Sequence, residues 1–422
     1  MELMKEILSE ENLQIAIKKV KQNKGAPGAD RMTVQEVEDW FDQYRDEVIC
    51  KIKNKQYRPM PVKRVYIPKP DGKQRPLGIP TVVDRVIQQA MLQVLSDIYE
   101  PIFSEHSYGF RPRRSAHMAM EEVLYYLNQG YEWIVDLDIE KFFDTVNHDK
   151  LISILREHVN DSKTLHLIRA YLRAGVLDKG LIKSTTVGTP QGGPISVILS
   201  NIYLDKYDKE LESRNLRFVR YADDCIIFVK SEMSANRVMK SMTSWLERKL
   251  FLKVSATKTK VVRPTKGQFL GFTFHKNSDN WKCVPTKDRK KRLYAKIQEH
   301  LKRKHAVSRP LSITFTKVNQ IVRGWINYFK IGSIKIFIDK FGQWLRHKIR
   351  CIIIKQWKNP KTIYRNLMKL NKACKCKFSE EDIYKCANSR LGWYRRSGLN
   401  VVNFVLSPKV LAIEKGERPG LV

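Results

Sequence analysis

Two adjacent aspartates, Asp223 and Asp224, stand between two short apolar segments, residues 218–221 and 225–229. Both segments favour β-strands, so the aspartates are predicted at the tip of a hairpin. A turn explains one aspartate, because this residue type favours turns. It does not explain two carboxylates that repel each other at the edge of a packed sheet. A divalent cation relieves this repulsion, and the pair therefore predicts a cation site.

A further carboxylate is available in residues 135–144. Residues 133–137 are predicted to form a strand, and side chains alternate between the two faces of a strand. Asp136 and Asp138 therefore share one face. Two-metal nucleotidyl transfer needs a carboxylate from a strand beside the hairpin. The alternation by itself leaves the choice between Asp136 and Asp138 open.

A cluster of arginines lies within residues 107–117, where Arg111, Arg113 and Arg114 accompany Tyr108 and Phe110. Guanidinium groups bind phosphates, and aromatic rings stack on bases. The cluster predicts contacts with an RNA template strand. The alternative is a solvated surface loop without a nucleic-acid role.

In their order along the chain, these motifs resemble those of the reverse-transcriptase family. That family places an aromatic gate five residues after a metal-binding aspartate. Counting from Asp138 gives Phe143, and counting from Asp136 gives Lys141, so the resemblance favours Asp138. It also implies the Ile139 carbonyl as a further metal ligand. Catalysis would then rest on two Mg²⁺ ions, with Mn²⁺ as a possible substitute, held by Asp138, Asp223 and Asp224.

The resemblance also assigns residues to the incoming dNTP. Residues 62–80 are similar to the fingers hairpin of the family, in which Lys69 and Arg75 contact the triphosphate. Residues 188–196 are similar to the substrate-binding turn, with Gln191 against the base or sugar. Phe143 is implied to exclude a ribose 2′-hydroxyl and so to select dNTPs.

Two further assignments follow from the same resemblance. Lys258 stands where the family carries a lysine thought to protonate pyrophosphate, although residue 255 is serine where asparagine is usual, and Lys260 is an alternative. Residues 269–274 look like the primer grip, which the resemblance places at Phe269, Leu270 and Gly271. An apolar hairpin of the core is the alternative there.

Residues 322–329 lie in a basic helical segment and resemble the thumb or maturase domain of group II intron-encoded enzymes. The resemblance implies a compact form that lacks the endonuclease domain. Such an enzyme copies intron RNA into DNA from a primed template and, as a maturase, binds the intron RNA to assist splicing. The alternatives are a non-catalytic splicing maturase and a domesticated cellular reverse transcriptase.

The helices and strands that must position these residues predict an α+β fold. Helical spacing is predicted over 83–99, 151–172 and 194–212, and strands over 62–67, 73–79 and 133–137. The pattern favours a palm on an antiparallel sheet, and the resemblance implies a right-hand polymerase. The predicted domains are an N-terminal extension with fingers (1–130), a palm (131–285), a helical thumb or maturase domain (286–365) and a basic C-terminal nucleic-acid-binding domain (366–422).

The charge of the chain is +34, and it is unevenly distributed. Counting Lys and Arg against Asp and Glu, residues 1–280 carry +8 and residues 281–422 carry +26. Such an excess indicates a polyanionic partner, chiefly for the C-terminal third. The apolar runs are too short for a membrane span, so we expect a soluble cytoplasmic protein.

Overall fold

The chain divides into two units, residues 1–267 and residues 268–422. The computed structural model describes residues 3–421 apart from 69–71, 73, 184–186, 190–191 and 413–419, and at positions 303 and 304 it describes the backbone only. Across this described part, no helix is both long and apolar enough to cross a membrane.

Helices form most of the first unit. Their ends follow local capping rules: Ser9 caps α2, Thr81 caps α4 and Pro194 opens α9. The helices are α1 Leu3–Ile7, α2 Glu10–Gln22, α3 Val37–Lys53, α4 Val82–Tyr99, α5 Ala116–Asn128, α6 Phe142–Thr145, α7 His148–Leu155, α8 Ser162–Arg173, α9 Pro194–Ser213 and α10 Glu232–Lys249.

Two four-stranded sheets complete this unit. One has the order β2-β1-β4-β5 and contains the predicted hairpin, and the other has the order β6-β7-β3-β8 and carries the predicted aspartates. The strands are β1 Val62–Pro68, β2 Gln74–Ile79, β3 Trp133–Leu137, β4 Val176–Asp178, β5 Leu181–Lys183, β6 Arg217–Tyr221, β7 Asp224–Val229 and β8 Lys260–Val262. Helices α4 and α9 bury side chains around most of their circumference, so they lie at the centre of the apolar core of the first unit.

The second unit begins with an antiparallel meander of the order β11-β10-β9 and continues as helices. Its strands are β9 Gln268–Phe269, β10 Phe272–Asn277 and β11 Asn280–Pro285. Its helices are α11 Lys287–His300, α12 Arg303–Ala306, α13 Leu311–Phe329, α14 Lys335–Gln356, α15 Pro360–Ala373, α16 Glu380–Asn388, α17 Trp393–Arg396, α18 Asn400–Val405 and α19 Pro408–Ala412.

The structure confirms the α+β class and the predicted hairpins. The single helix expected over 151–172 is two helices, because Asp161 caps a new one at Ser162. The predicted domain boundaries stay predictions. The second unit begins at residue 268, and residues from both 286–365 and 366–422 contribute to its apolar core.

Candidate active site

The sheet β6-β7-β3-β8 brings the predicted carboxylates to one edge. Strands β6 and β7 pair as a hairpin, with Tyr221 opposite Asp224. Strand β3 is antiparallel to β7, and Leu137 pairs with Cys225. Asp138 and Asp224 adjoin these paired residues, so they lie at the same end of neighbouring strands. This register places the third carboxylate beside the aspartate pair.

The carboxylates influence one another electrostatically. The surrounding sheet partly desolvates Asp224 and, as the largest cause, raises its pKa to about 6. Repulsion from Asp223, Asp136 and Asp138 contributes a smaller part of this same rise in the pKa of Asp224. Desolvation also raises the pKa of Asp136. Four acidic groups therefore share a small region in which ionisation of all four is unfavourable without a counter-charge.

Two lysines from the neighbouring segment supply such a counter-charge. The Lys258 ammonium lies 3.0 Å from each carboxylate oxygen of Asp138. The Lys260 ammonium lies 3.5 Å from Asp136. Each of the two candidate aspartates thus has its own lysine, and the geometry leaves the assignment of the metal-binding aspartate to Asp138 a prediction.

In the described residues, no three His, Cys, Asp or Glu side chains are grouped closely enough to hold a metal ion as they stand. The donor chemistry nevertheless fits a hard divalent cation, since the set consists of carboxylates, and desolvation together with their mutual repulsion raises the pKa of Asp224. Asp138 is the member already neutralised by a cation, the Lys258 ammonium. A metal ion at Asp138 would compete with Lys258 for the same oxygens.

A buried arginine holds the turn that carries the aspartates. Arg220 is 1% exposed, and its Nε donates to Asp208 at 2.7 Å. Its Nη1 donates to the Ala222 carbonyl at 2.8 Å and to Asn201 at 3.1 Å. Ala222 adopts a left-handed backbone conformation, with φ of 58°. The peptide preceding Asp223 is therefore fixed by a guanidinium that helix α9 orients.

The loop of residues 104–111 supports the same turn from outside the sheet. The Arg220 amide donates to the His106 carbonyl at 2.9 Å, and the Tyr108 amide donates to the Arg220 carbonyl at 2.9 Å. Gly109 lies so close to the turn that a Cβ there would be 2.2 Å from the Ala222 nitrogen. Sequence reasoning missed this support, because its contacts join segments far apart in the chain.

The predicted gate residue Phe143 is half-buried in α6, and its carbonyl accepts a hydrogen bond from the turn at residues 188–189. The Thr189 amide donates to the Phe143 carbonyl at 2.6 Å. His148 Nε2 lies 2.6 Å from the Gly188 carbonyl. Desolvation lowers the pKa of His148, which favours a neutral ring with the proton on Nε2. These hydrogen bonds couple the position of Phe143 to the turn that is predicted to bind the substrate.

A cavity of about 120 Å³ adjoins Phe143 and is lined also by Arg64, Tyr171 and Thr189. Arg64 was not predicted as a site residue. Arg64 lies on β1 two positions after buried Val62, so the two side chains share one face of the strand. This spacing could have indicated that Arg64 lines a cavity.

Of the other residues predicted to contact the nucleotide, the structure describes Arg75 and Lys258. Lys69 and Gln191 lie outside the described residues. Arg75 is exposed on β2, opposite Ile67 in the hairpin register. Lys258 contacts Asp138, as given above.

The prediction that Arg111 contacts the template strand is wrong. Its side chain is buried, and its Nη1 donates to the carbonyls of Ser104 and Ser107 at 2.6 and 2.9 Å. Its Nε donates to Glu100 at 2.9 Å. A guanidinium with these internal partners is not available to a template phosphate, so Arg111 shapes the loop of residues 104–111 instead.

The two other arginines of the cluster remain template candidates. Arg113 is exposed. Arg114 is paired with Glu105 and lies over the Tyr108 ring, 5.4 Å from its centroid.

The predicted primer grip is a tight turn in the second unit. Phe269 is buried and pairs with Phe272, and Leu270 and Gly271 between them both have positive φ, of 49° and 84°. Positive φ at both central residues is typical of a type I′ hairpin. Tyr328 of α13 donates to the Leu270 carbonyl at 2.9 Å, which fixes the turn against the helix.

Comparisons with known proteins agree with this arrangement. Residues 67–274 match the family model described as reverse transcriptase (RNA-dependent DNA polymerase). Residues 290–371 match the model described as the group II intron, maturase-specific domain.

Among curated proteins, the chain is 35% identical over 266 residues to Protein YkfC of Escherichia coli K12, covering 54% of this chain and 69% of that protein. It is 39% identical over 217 residues to the group II intron-encoded protein LtrA of Lactococcus lactis, covering 50% of this chain and 35% of LtrA. The match thus spans about a third of LtrA. A solved chain from a partial Cas6-RT-Cas1–Cas2 complex has 25% identity and a TM-score of 0.38, covering 59% of this chain and 43% of that chain.

The family model covers strand β2 and the whole sheet β6-β7-β3-β8 with the three aspartates, which agrees with a right-hand polymerase architecture. Reverse transcriptases as a family use divalent metal ions. The chain therefore belongs to the reverse transcriptase family of RNA-directed DNA polymerases and carries, after its catalytic domain, the maturase-specific domain of group II intron proteins.

Proposed function

We propose that this chain copies group II intron RNA into DNA with Mg²⁺ as the metal cofactor. The observation that carries the proposal is the convergence of Asp138, Asp223 and Asp224 at one sheet edge, where desolvation and repulsion between carboxylates raise the pKa of Asp224 to about 6. Such a set of carboxylates is suited to two divalent cations. The partners are intron RNA, a primed template and dNTPs.

The three aspartates would hold the two metal ions, with the Ile139 carbonyl as a further ligand. When bound, such ions activate the primer 3′-hydroxyl and neutralise the charge that develops on pyrophosphate. Lys258 is proposed to protonate the leaving pyrophosphate. Its side chain is 68% exposed, so its ammonium is free to leave Asp138. Lys69, Arg75 and Gln191 are proposed to bind the dNTP.

Primer extension tests the proposal most directly. We expect a DNA primer to be extended on an RNA template in the presence of Mg²⁺, and extension to stop when the ion is chelated. A chain that binds intron RNA and stimulates splicing, yet extends no primer on RNA or DNA templates, would be a non-catalytic maturase instead.

Phe143 is proposed to exclude ribonucleotides, which leads to a prediction about sugar selection. Replacing Phe143 with alanine removes the ring that would meet a ribose 2′-hydroxyl. We expect the preference for dNTPs over rNTPs to fall by at least about tenfold, equivalent to roughly 1.4 kcal/mol of discrimination. The measurement is kcat/KM for matched dNTP and rNTP pairs. The control is Phe110→Ala, which removes an exposed ring in the loop of residues 104–111. Unchanged discrimination would place the gate elsewhere and reopen the choice between Asp136 and Asp138.

The second unit is proposed to bind the intron RNA and to support splicing. The match to the maturase-specific domain favours this role. Helix α15 provides a suitable surface, because its apolar residues Ile363 and Leu367 are buried while its outer face is basic. The exposed residues of that face are Lys361, Arg365, Lys369 and Lys372.

This surface predicts a change in salt dependence. Replacing the four basic residues of the α15 face with glutamine should reduce the slope of log affinity against log salt by about three, since each phosphate contact contributes roughly 0.7–0.9. The measurement is intron RNA affinity of the full-length protein over a range of salt concentrations. The control removes four exposed charges from α10 of the first unit, at Arg237, Lys240, Arg248 and Lys249. Equal slopes for both variants would show that the α15 face does not contact RNA.

A further inference from the structure

A cavity of about 420 Å³ lies in the second unit between helices α11, α14 and α17. This volume falls within the range of roughly 300–1,000 Å³ that is common for ligand sites. Its floor is apolar, formed by Leu301 and Ile352. Two aromatic rings and two ammonium groups complete the wall, from Trp344, Tyr394, Lys302 and Lys348.

The aromatic rings are held in place by their neighbours. Trp344 packs edge-on against Tyr294, with ring centroids 4.7 Å apart. Tyr394 packs against the His347 ring at 4.2 Å and keeps 49% of its surface exposed. A ring that is oriented and yet exposed is suited to stacking on a planar ligand.

The charged groups select the class of that ligand. The Lys348 ammonium lies over the Tyr394 ring, 4.9 Å from its centroid, so one face of the ring already carries a positive charge. Within the described residues, no acidic side chain lines the cavity. The surrounding residues 281–422 contribute a charge of +26. A planar group joined to phosphates, as in a nucleotide, fits both the rings and the ammonium groups.

We propose that this cavity binds one unpaired nucleotide of a single-stranded RNA segment. The base stacks on Tyr394 and Trp344, and the adjoining phosphates lie at Lys302 and Lys348. A base within a duplex is already stacked on its neighbours, so a site that stacks a base on protein rings selects looped or bulged RNA. The inference rests on the RNA-binding role proposed for the second unit, and it adds to that role a site that reads unpaired RNA.

The first test compares variants of the full-length protein in binding to a short single-stranded oligouridylate. Tyr394→Ala should weaken binding by about five- to a hundredfold, the range for loss of one base–aromatic stack. Tyr394→Phe keeps the ring and should bind within about twofold of wild type. The matched control is Tyr384→Ala, which removes a tyrosine of α16 that is 60% exposed and does not line the cavity.

A second test locates the contact. Oligouridylate containing 4-thiouridine, cross-linked by light and analysed by mass spectrometry, should label peptides that contain Trp344 or Tyr394. Affinity for double-stranded RNA should be the same for wild type and Tyr394→Ala. An equal loss of affinity for duplex RNA, or labelling confined to other peptides, would overturn the proposal.

These outcomes separate the cavity from the broader RNA-binding role. Suppose that wild-type protein binds intron RNA with steep salt dependence and that Tyr394→Ala binds oligouridylate as well as wild type does. This result would refute the proposal for the cavity and leave the RNA-binding role of the second unit standing. Wild-type protein without salt-dependent RNA binding would refute both. Primer extension on an annealed template should be unchanged in Tyr394→Ala, and this checks that the variant is folded.

Discussion

We expect Asp223→Asn and Asp138→Asn each to abolish primer extension. The rate should fall by at least about a thousandfold, equivalent to roughly 4 kcal/mol in the activation free energy. The substitution keeps the shape of the side chain and removes the negative charge. Asp223 adjoins Asp224, whose pKa is raised by desolvation and by repulsion from the neighbouring aspartates. The site would then lack one of the carboxylates that attract a divalent cation.

The measurement is single-turnover extension of a primer on an RNA template, combined with intron RNA affinity of the same preparations. Affinity should remain near that of wild type, because the basic surfaces of the second unit are unchanged. Asp97→Asn, at an exposed position on α4, serves as the control. Extension within about tenfold of wild type by either variant would refute the metal-ligand assignment.

Arg220→Met should destabilise the protein by about 3–5 kcal/mol, the usual cost of removing one partner from a buried ion pair. Asp208 is fully buried and would be left as an unpaired charge. The Ala222 carbonyl would also lose its donor at 2.8 Å. The measurement is the free energy of unfolding from urea titration, followed by the intrinsic fluorescence of the protein.

Two controls separate the charge from the side-chain volume. Arg217→Met removes an exposed arginine from the same strand and should change stability by less than about 0.5 kcal/mol. The double variant Arg220→Met with Asp208→Leu removes both charges and should recover part of the loss. A single variant as stable as wild type would mean that the pair does not support the catalytic turn.

The sequence was sufficient to predict features that depend on neighbouring residues. The aspartate hairpin was predicted because the two apolar strands and the two carboxylates are contiguous. The resemblance to the family assigned Lys258 to pyrophosphate, but its contact with Asp138 was not predicted, since 120 positions separate the two residues. Periodicity alone did not reveal that strand β8 lies beside β3.

Features that depend on distant partners were missed or misread. Arg111 was predicted to bind template because an arginine near aromatic residues suits that role. Its burial depends on Glu100 and on two carbonyls of the folded loop, which no local pattern displays. The division of the chain at residue 267 depends on which segments pack together in the fold, and no local pattern displays this.

The support of the β6–β7 turn by Gly109, Asn201 and Arg220 has a consequence for the order of folding. The bond from Asn201 to the Gly109 carbonyl joins residues 92 positions apart, so it forms only after a long loop has closed. The β6–β7 hairpin can pair early, because its contacts are local. Its turn reaches the final geometry only when the loop of residues 104–111 and helix α9 have docked. Mild denaturation that releases this loop should therefore inactivate the enzyme while most of its helices and strands persist.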